Sequence, residues 1–285
     1  MFDRTGSRFR RHGAQMAATL LLMPMALPAQ AADASSWDKD MHSAVRLIAA
    51  SAPRDGGPAT FRAGIEIRLD PGWKTYWRYP GDSGVPPRFN FTGSENVKNV
   101  TVKWPAPHRF SDDGGQSIGY KDHIILPLSI EPQNASKPVK LHLEIDYAVC
   151  EKLCVPAQGK ADLVVTRERS AHEAALTAAE ARVPQRRALG DKSALSIRAV
   201  RRESPGRIAV DVAASAGTDV DLFAEGPTEA WALPLPAPAA GAPAGLKRFT
   251  VALDGLPPGA TAEGAMLTFT AVAGTTAIEV VYRVD

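Results

Sequence analysis

The residues with the most chemistry to offer are the chain's two cysteines, Cys150 and Cys154. They close the longest clean alternation in the sequence. Val139, Leu141, Leu143, Ile145, Tyr147 and Val149 fall on one face of a strand, while His142, Glu144, Asp146, Ala148 and Cys150 fall on the other. On that pattern Cys150 is expected on a polar face and outside any core. A straight strand would hold the two Cα atoms roughly 13 Å apart at ~3.3 Å per residue, beyond the ~7 Å that a disulfide tolerates. Glu151-Lys152-Leu153 must therefore turn. A three-residue hairpin loop sets the cysteines opposite each other on neighbouring strands, ~4.5–5.5 Å apart. One turn of helix is the alternative connection, although Val155-Pro156 argues against continuing it.

Three chemistries are open to such a pair. An inert structural disulfide is the plain reading, but closing so short a loop recovers little chain entropy, and cores of this size stand without a staple. A tight disulfide on a polar face suits thiol exchange, which needs access for an incoming thiolate and a competent leaving group. Holding Cu(I) or Zn(II) would need further ligands. His142 shares the face but lies eight residues back, about 26 Å along the strand. That leaves His108 or His123 from other segments, and the six histidines show no paired spacing. Cys154 follows the turn and precedes Val155-Pro156, where backbone pairing is limited, so it is expected to be the more accessible sulfur. Lys152 is a candidate stabiliser of either thiolate.

These cysteines sit in a chain of 285 residues with 33 Lys plus Arg, 31 Asp plus Glu, 23 Pro and a hydrophobic fraction of 45%. The composition excludes a disordered or collagen-like chain. Arg4, Arg8, Arg10 and Arg11 precede an apolar run over residues 17–27 and the small residues around Ala29-Gln30-Ala31, which reads as an export signal over residues 1–31. Without that segment the net charge falls from +2 to about −1, so nucleic acid is not an expected partner. The apolar run is shorter than the ~20 residues of a membrane span. The uncharged stretch 230–246 is broken by Pro234, Pro236, Pro238 and Pro243. The mature protein is expected not to span a membrane and to work in an oxidising compartment.

Two strand-rich halves are expected. In the first, Ala63, Ile65, Ile67 and Leu69 alternate with polar residues or glycine, as do Val100, Val102 and Trp104. In the second, Ile208, Val210 and Val212, then Phe249, Val251 and Leu253, then Ile278, Val280, Tyr282 and Val284 repeat the pattern. Between them Ser170-Ala171-His172-Glu173 has capping-box spacing and opens an alanine-rich stretch stopped by Pro184, predicting one helix over residues 170–188. The expected organisation is a first domain at 32–169, a helical linker at 170–190 and a second domain at 191–285, both domains β-sandwiches. The second has no cysteine and no catalytic constellation, and reads as a structural or docking module. Asp219, Asp221 and Glu225 read as solvated acids rather than a calcium site. Trp73, Tyr76, Trp77 and Tyr79 either wall a pocket or pack the core, and residues 80–84 form a turn by composition.

The segment DYAVCEKLCVPAQGKADLVV, residues 146–165, resembles the cysteine-bearing hairpin of the periplasmic N-terminal domain of the thiol:disulfide interchange protein DsbD, in the variant shared with the copper-sensitivity suppressor ScsB. GWKTYWRYPGDSGVPP (72–87) and WPAPHRFSDDGGQSIGYKDHIILPL (104–128) resemble two further segments of it. The resemblance runs in order over roughly residues 40–168. It implies an all-β chain of two immunoglobulin-like β-sandwich domains joined by a short helix, located in the periplasm. It also implies a protein-disulfide reductase component that uses a redox-active disulfide and no other cofactor. Such a domain passes reducing equivalents from a membrane-embedded thiol electron carrier to periplasmic thioredoxin-like partners, in cytochrome c biogenesis or copper tolerance. By position, Cys154 matches the cysteine that forms mixed disulfides and Cys150 the one that resolves them. Residues 109–120 match a cap loop, with Phe110 or Tyr120 as shielding ring and Asp112 and Asp113 as nearby acids, while Tyr76 and Trp77 of the aromatic cluster are candidates to wall the pocket or pack the core. The best-known members place five residues between the cysteines, against three here. This sequence contains neither a multi-helix membrane domain nor a thioredoxin-like Cys-x-x-Cys module, so the electron source is expected to be another polypeptide. The alternative is a non-catalytic binding or chaperone-like module with a structural disulfide, assisting copper handling or cytochrome c assembly.

Overall fold

Alternating apolar residues along most of the chain become strands in the computed structural model, which describes residues 1–2, 32–51, 60–81, 84–112 and 115–285. The expected export signal lies outside the described residues apart from Met1 and Phe2. The first sandwich contains β1 (Asp38–Asp40), β2 (Ser43–Ala50), β3 (Phe61–Leu69), β4 (Lys74–Gly81), β5 (Arg88–Asn90) and β6 (Val97–Val102). It continues with β7 (His108–Asp112), β8 (Gly115–Lys121), β9 (His123–Pro132), β10 (Val139–Cys150) and β11 (Cys154–Val165). One of its sheets has the order β1-β2-β3-β9-β6, and the other has β11-β10-β4-β8-β7, with β5 added on β10. Inward residues of both sheets, among them Leu47, Ile65, Leu126, Leu143 and Leu163, fill a common core. Burying each such side chain stabilises the fold by ~1.5–3 kcal/mol.

A single short helix, α1 (Glu173–Ala181), follows. It is shorter than the expected span of 170–188, for two physical reasons. Glu173 does not close a capping box on Ser170. Its carboxylate accepts instead from Arg62 at 2.6 Å and from the Ser51 amide at 2.8 Å, while Ser170 Oγ accepts from the His172 amide. Beyond Arg182 the chain reaches Pro184 and then forms β12 (Gln185–Arg186), which pairs parallel with a strand of the second sandwich. Leu176 and Ala179 of α1 bury against Ile48, Ala50 and Ile125, so the helix covers the outer face of the first sheet.

The second sandwich contains β13 (Ser196–Ser204), β14 (Arg207–Ala213), β15 (Asp221–Glu225), β16 (Ala237–Ala239), β17 (Leu246–Ala252), β18 (Met266–Ala273) and β19 (Thr276–Arg283). Its sheets run β12-β19-β18-β15 and β13-β14-β17-β16. The architecture is therefore all-β, two immunoglobulin-like sandwiches with one short helix between them. Ile208, Val210, Val212, Phe249, Val251, Ile278 and Val280 are buried as their alternation required. The Pro/Ala-rich stretch after Pro234 carries β16, a short edge strand where proline's missing N–H does no harm.

Asp221 and Glu225 are not solvated acids. Successive odd residues of β15 face the first sandwich: Asp221 accepts from Arg109 at 2.6 Å, Phe223 lies 5.8 Å from the Trp77 ring, and Glu225 accepts two hydrogen bonds from Arg78. Glu279 on β19 accepts from Arg78 as well, at 2.7 Å. Phe223 belongs to the core cluster of the first sandwich.

Glu66 on β3 is buried between the Arg46 guanidinium and the His123 ring. Burial works to raise its pKa, but hydrogen bonds from His123 at 2.9 Å and Arg46 at 2.6 Å hold it down at about 2, against an ordinary 4.5. A carboxylate depressed in the folded state stabilises the fold fully above its unfolded pKa and loses that contribution as pH falls through the folded value. Stability is therefore expected to fall between pH 4.5 and about 2, and Glu66→Gln is expected to flatten that slope in urea midpoints measured across the range. An unchanged slope would remove Glu66 from the account.

Candidate functional site

The strand β10 keeps its alternation to the end, and β11 runs back along it with twelve residues on each side in register, from Val139 opposite Val165 to Cys150 opposite Cys154. Three residues, Glu151-Lys152-Leu153, make the turn, so the hairpin connection holds and the helical one does not. The cysteines are joined, with S–S 2.04 Å and Cα atoms 4.2 Å apart. Thr75 Oγ1 donates to the Ala148 carbonyl at 2.9 Å, and Tyr147 Oη lies 2.7 Å from Ser43 Oγ, so the cysteine end of β10 is tied to both sheets.

The two sulfurs have unequal surroundings. Cys154 is exposed, as expected of the residue after the turn. Cys150 lies on the outer face, with Ala148, but it is only 2% exposed, contrary to the expectation for a polar face. The cause is Tyr76 of the neighbouring strand β4, whose ring lies over Ala148 and Cys150. Its hydroxyl stands 2.8 Å from Cys150 Sγ and 3.0 Å from Cys154 Sγ. Disulfide sulfurs carry no hydrogen, so the phenol is the donor to both. The ring is backed by Gly84, where an added Cβ would come within 2.5 Å of Tyr76 Cδ1; a side chain at that position would displace the ring.

The remaining expected residues scatter. Trp77, the next residue on β4, points the opposite way and is fully buried in the core, so it does not wall the sulfur pocket. Tyr120 is also a core residue rather than a shield. Its hydroxyl donates to the Pro105 carbonyl at 2.7 Å, and burial pushes its pKa up. Phe110 on β7 is half-buried beside the Lys74 ammonium, 5.6 Å from the ring centre. Lys74 pairs with Cys150 across the ladder, which makes it a cation on the adjoining strand that the sequence analysis missed. Lys152 is exposed in the turn. Asp112 ends β7 with no described side chain, and Asp113 lies outside the described residues. The histidines considered as ligands have other partners: His142 Nδ1 lies 2.7 Å from Asp162, His123 binds Glu66, and His108 contacts Arg182. Among the described residues no three His, Cys, Asp or Glu side chains are grouped to hold a metal ion. No helix among the described residues is long and apolar enough to cross a membrane.

This arrangement supports chemistry at sulfur. An exposed sulfur bonded to a buried one, with a hydroxyl donor on both, presents one atom for attack and a stabilised leaving group behind it.

Residues 48–166 match the family model of the N-terminal domain of thiol:disulfide interchange protein DsbD. The crystal structure of the N-terminal periplasmic domain of ScsB from Proteus mirabilis superposes with a TM-score of 0.68 at 22% identity, covering 89% of this chain and 98% of that one. A marsupial T cell receptor aligns over 87% of this chain and 99% of its own at 11% identity, but with a TM-score of 0.22 it carries no argument. No curated protein matches by sequence. Both sandwiches and the helix between them thus have a counterpart of the same fold, and the cysteine hairpin lies inside the residues, 48–166, that match the DsbD N-terminal domain model.

Proposed function

We propose that the chain is a periplasmic thiol-disulfide relay, with a redox domain at residues 32–169, a linker at 170–190 and a companion domain at 191–285. The observation that carries this reading is the asymmetry of the disulfide, with Cys154 exposed and Cys150 buried under the Tyr76 hydroxyl. In the reducing direction, the Cys154 thiolate attacks a partner's disulfide. A mixed disulfide forms and one partner sulfur leaves as a thiolate, which takes up a proton. Cys150, deprotonated, then attacks Cys154 Sγ, the mixed disulfide breaks, and the second partner sulfur leaves. Two electrons have moved to the partner and the Cys150–Cys154 bond has formed. Recharging is the reverse: a donor thiolate attacks Cys154 and Cys150 leaves as a thiolate beside Tyr76, then the donor's second thiolate attacks its own sulfur in the mixed disulfide and Cys154 leaves as a thiolate, each thiolate taking up a proton. The donor fits a membrane-embedded thiol carrier, and the acceptor a thioredoxin-like periplasmic protein.

Native-state reduction tests the assignment. The folded protein is expected to lose its disulfide to millimolar dithiothreitol well below the denaturant concentration that unfolds it, read as two added alkyl groups by intact mass. A bond that resists until global unfolding would make it structural and the protein a binding module.

A further inference from the structure

The sulfur pocket is built on strands that the second sandwich also holds. In β4, Tyr76 faces the cysteines, while Trp77 turns inward to Phe223. In β7, Phe110 and Arg109 likewise point to opposite faces. Arg109 sits across from Ile118, a core residue, and Phe110 across from Ser117. Arg109 is thereby directed to Asp221, and it also donates to the carbonyls of Leu222 and Pro236, each at 3.1 Å. Arg78, two residues beyond Tyr76, is held by Glu225 and Glu279. Among the described residues the Trp77 indole N–H has no hydrogen-bond partner, so at that point ring packing against Phe223 makes the contact. β4 is thus tied to the second sandwich at Trp77 and Arg78, beside the Tyr76 that faces the cysteines, and β7 is tied at Arg109, beside the Phe110 that packs on Lys74, the cross-strand neighbour of Cys150.

We propose that Asp221, Phe223 and Glu225 are positioning residues for the disulfide: the second sandwich sets β4 and β7 so that the Tyr76 hydroxyl reaches both sulfurs. The proposal gives the companion domain a role at the redox site without any residue of its own touching sulfur. It deepens the relay reading and rests on it for its biological meaning. Packed chains of side chains with discrete arrangements carry coupling of this kind over such distances.

The test is a mutant cycle on the reduced protein, reading the pKa of the more acidic cysteine thiol from thiolate absorbance. Lys74, Glu151 and Lys152, the other charged groups on the elements around the pair, are left unchanged. The Asp221→Asn, Glu225→Gln double variant is expected to raise that pKa by roughly half a unit to one and a half units. Adding Tyr76→Phe is expected to take it no further than Tyr76→Phe alone, because both changes remove one hydrogen bond. Phe223→Ala is expected to behave like the charge variant, whereas Phe223→Leu, which keeps apolar volume at the seam, is expected to stay near the wild-type value. Cooperative unfolding confirms that each variant is folded, and if Phe223→Ala is not, the charge variant decides. A folded charge variant with a wild-type thiol pKa, or shifts that add in full to that of Tyr76→Phe, would overturn the proposal. Since the readout is a thiol pKa, it stands apart from the relay reading, which fails if the wild-type disulfide resists native reduction.

Discussion

A Cys150→Ser variant is expected to accumulate covalent complexes with its partners, and a Cys154→Ser variant is expected to accumulate none. With Cys150 replaced, the exposed Cys154 thiolate still attacks a partner's disulfide, but no second sulfur is present to break the mixed bond, so it persists. With Cys154 replaced, the remaining sulfur is 2% exposed beneath Tyr76, where an incoming disulfide cannot align with it. The effect is close to all or none, and non-reducing gels of periplasmic extracts, with mass spectrometry of the bands, read it directly. Trapping through Cys150 alone would reverse the roles. No trapping by either variant, together with a disulfide that resists native reduction, would return the pair to a structural role.

The second large effect is expected from Tyr76→Phe, which keeps the ring over Cys150 and deletes the proton donor. A hydrogen bond to a charged group is worth ~1.5–3 kcal/mol, and one pKa unit corresponds to ~1.4 kcal/mol. If the phenol donates to whichever sulfur is a thiolate, losing it should raise the lower thiol pKa by roughly one to two units. The sign follows from which form the bond favours: a donor stabilises the anion, so its removal favours the protonated thiol. Exchange at neutral pH should slow about tenfold if leaving-group stabilisation by Cys150 limits the rate. An unchanged titration of the reduced pair would show that Tyr76 only shields.

The cysteine hairpin was legible in the sequence because alternation runs unbroken from Val139 to Cys150, and a short turn then leaves little choice of register. The burial of Cys150 was not legible, since alternation assigns a face but not what another strand lays upon it. Tyr76 and Trp77 show the limit differently. Neighbouring residues of a strand must face opposite ways, so only one of them could wall the pocket, and the sequence did not say which. The length of α1 depended on Arg62, more than a hundred positions away, drawing Glu173 off the expected cap. Asp221 and Glu225 looked solvated because the partners they meet lie on another domain. An apolar Phe223 between two acids on one strand face was the available signal, since a wholly solvated face has no use for a buried ring.

The passage from α1 to β12 takes three residues, Arg182, Val183 and Pro184, after which the chain is already a strand of the second sandwich. Three extended residues reach ~10 Å at most. Were the two sandwiches to part, neither could drift far, and the acids of β15 would remain at a high effective concentration around Arg78 and Arg109. A contact too small to hold separate molecules together can therefore keep a tethered pair docked. Two arginine clusters, the Trp77–Phe223 contact and the Tyr79 hydroxyl bonded to the Leu233 amide form a seam that is expected to close again each time it opens, whatever the dilution of the protein.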